Sequence, residues 1–304
     1  MNKDYQENVL ASIIIPVFDN AQGLQVTLKS IAQVLGNRKD IEIIICNDGG
    51  GEDISKIVAY YDAREVRLDK NMGSYAARNK GIEVSKGEIL AFLDADQKIS
   101  GQWFDAGLSS IRYADYAGGQ IKIEAGDNPS DWELMDIMTA FPVKWYLENY
   151  HFAPTANLFV RKEVFNKIGL FNEILRSGGD KDFGIRVFDN GLKQVYAPDA
   201  ITLHPARNKS EQIKKLKRTA IGNAEFAVFV QNKNHLFFIL WAFRQFILVP
   251  LEMLWRILRY PLFDYWKNDK IKLRFIYMKK LRKFIYFWNL MVRAFKISYI
   301  KELE

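Results

Sequence analysis

The sharpest chemical signal in the sequence is Leu93-Asp94-Ala95-Asp96, two carboxylates separated by one residue at the end of an apolar run. In extended chain, residues two apart project to one side, so the spacing predicts that both acids face one ligand while Ala95 points away. Oxygen donors of this kind suit a hard divalent ion, Mg2+ or Mn2+, which keeps waters and bridges substrate phosphates. Such a pair also serves helix caps and solvated turns, so its chemistry depends on its company. That company is a glycine-marked stretch, residues 71–81. There Gly73 permits close backbone approach, Ser74 can cap the helix that follows, and Arg78 offers a planar fork suited to phosphate or to a carbonyl-bearing base.

These residues need a scaffold, and the first hundred positions describe one. Short β-branched runs alternate with helical patterns, the mark of βαβ units and a parallel sheet. Strands are predicted at residues 12–16, 41–46, 66–68 and 89–93. Leu24, Leu28, Ile31 and Leu35 share one helical face, Ile54, Ile57 and Val58 another, and Ala76, Ala77 and residues 80–84 continue a third. Open α/β sheets bind ligands beyond the carboxyl ends of their strands, where this sequence carries Asp19, Asp48, Asp94 and Asp96. From residue 101 to about 205 the pattern is mixed, with helices, a strand at 119–123 and an extended segment at 155–160.

Composition narrows the class. With 304 residues and 49% apolar content the chain can bury a large core. Cys46 is the single cysteine, which rules out a disulfide framework or a cysteine metal cluster within one chain and fits a reducing cytoplasm. Lys3 is offset by Asp4 and Glu7, and the following apolar run breaks at Pro16, so no signal peptide is predicted. Charge is split unevenly. Residues 1–204 hold 22 Lys+Arg against 29 Asp+Glu, whereas residues 205–304 hold 21 against 7, together with 20 of the 42 aromatics. A basic, aromatic segment of this kind suits an anionic surface. Its most apolar window, residues 236–258, is interrupted by Arg244, Glu252 and Arg256, whereas a span needs about 20 largely apolar residues. An interfacial helix is the expectation. Further on, Tyr277, Leu281, Phe284, Trp288, Met291 and Phe295 recur at helical spacing among lysines and arginines, as in a basic amphipathic helix. The same pattern also fits a helix that packs on the preceding domain. No dinucleotide fingerprint follows the first strand, where Pro16-Val17-Phe18-Asp19 stands, so a dehydrogenase is not the expectation. No nucleic-acid module carries the positive charge, so nucleic acid is not an expected partner.

Taken in order, several segments resemble the family 2 glycosyltransferases, inverting enzymes on the nucleotide-sugar-binding α/β fold called GT-A. They are Ile13-Ile14-Ile15-Pro16-Val17-Phe18-Asp19, Ile44-Ile45-Cys46-Asn47-Asp48-Gly49-Gly50, residues 71–81, Leu93-Asp94-Ala95-Asp96, residues 157–173 and Gly178-Gly179-Asp180-Lys181-Asp182-Phe183. The resemblance covers roughly residues 11–205 and implies a role for each matching position. Pro16, Phe18 and Asp19 would line the nucleobase pocket, Asp48 would read the base, Asp94 the ribose region, and Arg78 would help hold the nucleotide. Asp96 would ligate the metal, with His204 in a phosphate- or metal-proximal position. Asp180 would be the catalytic base, since an inverting transfer needs a carboxylate within hydrogen-bond reach of the attacking hydroxyl, and Asp182 competes for that role. Three positions depart from the family's pattern: Gly179 replaces a common Glu, Asp19 an Asn or Glu, and Gly50 a Ser.

The expected protein is therefore an α/β enzyme with a mainly parallel central sheet, residues 1–208, followed by a helical, basic and aromatic region, residues 209–304, that associates with a membrane. It would move a sugar from a nucleotide-diphosphate donor, a UDP-sugar foremost, to a hydroxyl of a glycan or lipid-linked acceptor. Its expected place is the cytoplasm, peripheral on the inner face of the cell membrane, in cell-surface polysaccharide or lipid-linked glycan assembly. A non-catalytic nucleotide-binding or membrane scaffold and a nucleotidyltransferase stand as alternatives. No feature of the sequence specifies an oligomeric state.

Overall fold

Runs of β-branched residues with no polar face have to be covered on both sides, and here they become the centre of one eight-stranded sheet. The structure is a computed structural model and describes residues 9–36, 38–139, 141–231, 240–241, 243–245, 247–248 and 270–301. In chain order the first elements are β1 (Ala11–Val17), α1 (Ala21–Leu35), β2 (Ile41–Asn47), α2 (Ser55–Tyr60), β3 (Arg64–Arg67), α3 (Ser74–Val84) and β4 (Ile89–Leu93). Then come β5 (Lys98–Ile99), α4 (Trp103–Ile111), β6 (Tyr116–Glu124), α5 (Asp131–Thr139), α6 (Val143–Tyr150), β7 (Asn157–Arg161), α7 (Lys162–Ile168), α8 (Gly179–Asp189) and β8 (Gln194–Pro205). The helices α9 (Lys209–Glu225), continued by a π-helical turn at Phe226–Val230, and α10 (Lys270–Lys301) complete the set.

The strands lie in the order β3-β2-β1-β4-β7-β6-β8-β5. β3, β2, β1 and β4 run parallel, as the alternating pattern predicts. β7 then enters antiparallel to both β4 and β6, β6 and β8 are parallel, and β5 closes the edge antiparallel to β8. Alternation along β1 divides the core in two: Ile13 and Ile15 pack with Leu24, Leu28, Ile31 and Trp103 on one face, while Ile14 packs with Ile44, Phe92 and Phe183 on the other.

The sequence reading misses β8 and β5 and shortens β6. β8 contains Pro198, which has no N–H to give a ladder, and its register against β6 jumps from Gly119↔Ala197 to Gln120↔Ile201. The side chain of Asn157 fills that irregularity, donating to Gln120 O at 2.9 Å and Ala200 O at 2.7 Å and accepting from Trp103 Nε1 at 2.9 Å. Gly119 is required beside it, because a Cβ there would overlap the Asn157 amide. Past the bulge, β8 delivers His204 to the edge where Leu203 pairs with Lys98.

The described chain divides into two compact units: one of residues up to Glu124 with Phe141–Ile174 and Gly179–Pro205, the other of Ala125–Ala140, Leu175–Gly178 and the described residues from Ala206 onward. The second unit is helical. Asn208 and Glu211 form a reciprocal capping box at the start of α9. Small residues Ala220, Ala224 and Ala227 let α10 approach, so that Leu290 and Met291 are buried there. Asn223 donates to Tyr286 Oη at 2.6 Å, and Arg293 meets the buried Glu225 at 2.8 Å. The apolar stripe expected on α10 is thus divided: Met291 is covered, whereas Phe284 and Trp288 stay 36% and 48% exposed. The side chains of Tyr277 and Phe295 lie outside the described residues, as does most of window 236–258. Within that window the described residues are helical, and Leu240, Trp241, Phe243 and Ile247 are exposed. Among the described residues no helix is long and apolar enough to cross a membrane.

In the same unit Asp136 is fully buried and accepts from the Arg207 backbone N–H at 3.1 Å and from its guanidinium at 3.4 Å. Arg282 donates to Thr139 Oγ1 at 3.2 Å nearby. Burial, together with the charges of Arg207, Arg282 and Arg218, pushes Lys215 down to about 7 against the pull of Asp136. Between that value and the ordinary lysine pKa of about 10.4 the unfolded chain binds the extra proton, so stability rises with pH across this window and the full penalty is felt below it. Thermal unfolding is therefore expected to shift upward from pH 7 to pH 10, with a smaller slope in Lys215→Met. An identical slope in wild type and variant would remove Lys215 as the cause.

Candidate active site

Helix α1 builds the acidic turn. Its N-cap, Asn20, accepts from Gly23 N at 3.1 Å and donates to Ala95 O at 3.3 Å. Two turns on, Thr27 Oγ1 donates to Asp94 O at 3.5 Å and accepts from Gln97 N at 3.0 Å, while Ser30 Oγ accepts from Ile99 N at 2.9 Å. Gly23 has to be glycine, since a Cβ would overlap Ala95 O. These bonds fold residues 94–97 into a turn between β4 and β5, which corrects the expectation of extended chain. The two carboxylates consequently diverge: Asp94 meets Arg78 Nη2 at 2.7 Å and Asp96 points toward His204 Nε2 at 3.6 Å.

The loop that enters α3 is held by acids rather than by its own hydroxyl. Gly73, at φ 99°, is the N-cap, and Ser74 is the first helical residue and caps nothing. Asp48, buried at the end of β2, accepts from Met72 N at 2.8 Å and Gly73 N at 2.9 Å, and desolvation raises its carboxyl despite those bonds. Asp19, at φ 44°, takes Gly51 N at 2.7 Å and Glu52 N at 3.1 Å. A Cβ on Gly50 would come within 2.7 Å of the same Asp19 oxygen, so two of the three departures from the family pattern contact each other and explain one another. Pro16 is half-buried beside this loop's strand and Phe18 is 47% exposed.

Arg78, only 3% exposed, also donates to Ser74 O at 3.3 Å; its Nε has no partner among the described residues. Three residues earlier on the same helical face, Tyr75 places its ring 5.8 Å from that guanidinium and its hydroxyl 3.2 Å from Asp180 Oδ1. Asn79 extends the role of α3 by exchanging hydrogen bonds with the Phe171 backbone, 2.9 and 3.0 Å, and donating to Glu173 at 2.8 Å. One helix therefore connects the Asp94 turn with the segment that leads to α8.

At the start of α8 two acids compete, and their partners separate them. Asp182 is buried and accepts from Arg186 Nε at 3.0 Å, while Arg186 also binds the carbonyls of Ile168 at 2.7 Å and Leu170 at 2.8 Å. That makes Asp182 part of a strut. Asp180 is half-buried, with Lys181 N at 2.9 Å and Tyr75 Oη on Oδ1. Desolvation raises its carboxyl, and the Lys181 amide, the Arg78 charge and the Tyr75 hydroxyl offset part of that rise. A carboxylate so placed is a stronger base than a solvated one.

His204 is buried, with Nδ1 2.8 Å from Pro205 O. A carbonyl only accepts, so Nδ1 carries the hydrogen and the ring turns Nε2 toward Asp96. A carboxylate oxygen and an imidazole nitrogen aimed at one another fit a shared Mn2+-type ion, which draws its remaining ligands from water and phosphate. No cluster of three or more His, Cys, Asp or Glu occurs among the described residues, so phosphate oxygens would have to complete such a site.

Sequence reasoning missed Thr27, Asn20 and Tyr75. Tyr75 and Arg78, three apart on a helix, did carry a readable signal of a shared face.

Comparison with known proteins identifies the family and the fold. The family model for glycosyl transferase family 2 matches residues 12–169. Glycosyltransferase AglE of Haloferax volcanii is 36% identical over 222 residues, 70% of this chain and 73% of its own length. The pre-mycofactocin glycosyltransferase of Mycobacterium tuberculosis is 25% identical over 210 residues, 65% of this chain and 43% of that protein. Among solved structures, mannosyltransferase PcManGT of Pyrobaculum calidifontis, in complex with GDP-Man and Mn2+, superposes with a TM-score of 0.59 at 12% identity, over 74% of this chain and 64% of that one. GalNAc-T7 with UDP, GalNAc and Mn2+ gives 0.55 at 16% identity, over 73% of this chain and 48% of that one. At such identities the structures establish the fold, which is GT-A.

Because Thr27 serves both ends of the acidic turn, Thr27→Val should leave the Gln97 N–H buried without its acceptor. A loss of about 1–3 kcal/mol in urea unfolding is expected; a loss below about 0.5 kcal/mol would show that the turn does not depend on α1.

Proposed function

The chain belongs to glycosyl transferase family 2, and from that premise we propose that it performs a metal-dependent inverting transfer from a nucleotide-diphosphate sugar to an acceptor hydroxyl. The observation that carries this reading is the half-buried Asp180 carboxylate, raised by desolvation and linked through Tyr75 and Arg78 of α3 to the Asp94 turn.

In this reading Oδ2 of Asp180, the oxygen free of the Tyr75 and Lys181 bonds, accepts the proton of the incoming hydroxyl. That oxygen nucleophile attacks the anomeric carbon, the bond from that carbon to the diphosphate breaks, and the configuration inverts. Arg78 and Asp94 hold the ribose and diphosphate side of the donor; Pro16, Phe18, Asp19 and Asp48 border the base. Asp96 and His204 would hold Mg2+ or Mn2+, which when bound neutralises charge on the departing diphosphate. A UDP-sugar is the first donor to test, with a GDP-sugar beside it because the Pyrobaculum mannosyltransferase is described with GDP-Man. For the acceptor we place a glycan or lipid-linked hydroxyl at an anionic membrane surface, met by the exposed Phe284 and Trp288 with Lys279 and Lys283 around them. This would put a catalytic domain of residues 1–208 at the cytoplasmic face of the membrane, with residues 209–304 as its peripheral anchor, working in cell-surface polysaccharide or lipid-linked glycan assembly.

Asp180→Asn is expected to lower turnover by about 10²–10⁴-fold while Mn2+-dependent nucleotide binding survives. Asp182→Asn should instead cost about 2 kcal/mol of stability and keep turnover. Full activity in Asp180→Asn rejects the assignment. For the membrane, a Phe284→Ser, Trp288→Ser double variant should sediment less with phosphatidylglycerol vesicles than the parent chain, and equal sedimentation would exclude this face as the anchor.

A further inference from the structure

Gly179 precedes the proposed base, and its backbone does not require glycine, because it is not among the residues of positive φ. What requires glycine is a neighbour: a Cβ at 179 would stand 2.8–2.9 Å from Cδ2, Cε2 and Cζ of Tyr75. The aromatic ring occupies the volume into which any side chain at 179 would grow. It is fixed there, nearly buried, 5.9 Å from the Phe171 ring and 5.8 Å from the Arg78 guanidinium. From that seat its hydroxyl reaches the next residue along, donating to Asp180 Oδ1. The Lys181 amide binds the same oxygen, so two donors hold Oδ1 and leave Oδ2 for the acceptor.

We propose that Tyr75 is a positioning residue of the transfer, matched to the missing side chain at 179, and that it selects which Asp180 oxygen meets the acceptor hydroxyl. The inference rests on the reading of Asp180 as the base. It also accounts for the third departure from the family pattern: the residue beside the base is lost because a tyrosine from α3 fills its place and supplies a hydrogen bond.

The consequence for pH has a definite sign. Asp180 is faced by Arg78 and Tyr75 from α3, Tyr116 from β6 and Tyr146 from α6. Of these, Arg78 and Tyr75 favour the carboxylate. Removing the Tyr75 hydroxyl therefore raises Asp180, and activity is lost at a higher pH as the base protonates.

The test uses the full chain with Mn2+ and whichever of UDP-glucose, UDP-N-acetylglucosamine and GDP-mannose it turns over. Tyr75→Phe keeps the ring and removes one hydroxyl. Expected are a kcat lower by about tenfold, a donor KM within about twofold of the parent, and an acid limb of the pH–rate profile moved upward. Gly179→Ala should lower kcat by displacing the ring, whereas adding it to Tyr75→Ala should cost nothing further. An acid limb of Tyr75→Phe that coincides with the parent's overturns the proposal, as do independent, multiplying losses in the double variant. Asp180→Asn measured alongside separates the two readings: if it is fully active the base assignment has failed, and if it is inactive while Tyr75→Phe matches the parent only the role of Tyr75 has failed.

Discussion

A guanidinium withdrawn from water as far as Arg78 costs several kcal/mol unless a carboxylate meets it, and Asp94 does so at 2.7 Å. This contact ties the third βα unit to the end of β4, which brings the start of α3 and the acidic turn to one edge of the sheet. The rest of the site follows from where that helix is pinned. Tyr75 and Asn79 sit on neighbouring turns of α3, and through them the helix reaches Asp180 on one side and the Phe171 backbone on the other. Shifting α3 would disturb the Asp94 turn and the Asp180 carboxylate together.

Two of the four acids that gather at the strand ends, Asp19 and Asp48, satisfy backbone amides. Asp19 serves Gly51 and Glu52, and Asp48 serves Met72 and Gly73. Charge-assisted bonds of this type are stronger than neutral ones, so they set loop shape around a binding edge at small cost in length of chain. Asp182 does similar work through Arg186. Asp180 differs in taking both a tyrosine hydroxyl and a backbone amide on one oxygen, Oδ1, and Asp96 in facing the imidazole of His204.

The second unit follows a different logic. Its helices join through alanines, a buried Glu225–Arg293 pair and a tyrosine hydroxyl, which leaves part of the aromatic complement of α10 outside that contact. Helix packing and a surface-facing aromatic face are therefore not exclusive. The stripe expected from periodicity is split between them, because an α-helix that buries residues 290 and 291 leaves residues 284 and 288 partly exposed.

Several elements could be read from the sequence because their signals are local. Short apolar β-branched runs placed β1, β2 and β4, a period of 3.6 placed α1 and α3, and the order of motifs identified the edge where the acids collect. Local period also misled: the Asp94 and Asp96 spacing implied extended chain, whereas hydrogen bonds from Asn20 and Thr27, 67 to 75 residues away, fold it into a turn. β8 was hidden by Pro198 and its register jump, so the approach of His204 to Asp96 could be expected only from the family resemblance. The Tyr75–Asp180 contact spans 105 residues, and the need for Gly179 arises only when that ring is in place. Residue types and periodicity thus determined which elements form and which side chains are chemically able. Which of them meet was decided by the tertiary fold, since the energy of a buried contact depends on the partner across space and leaves no trace in the spacing of either segment.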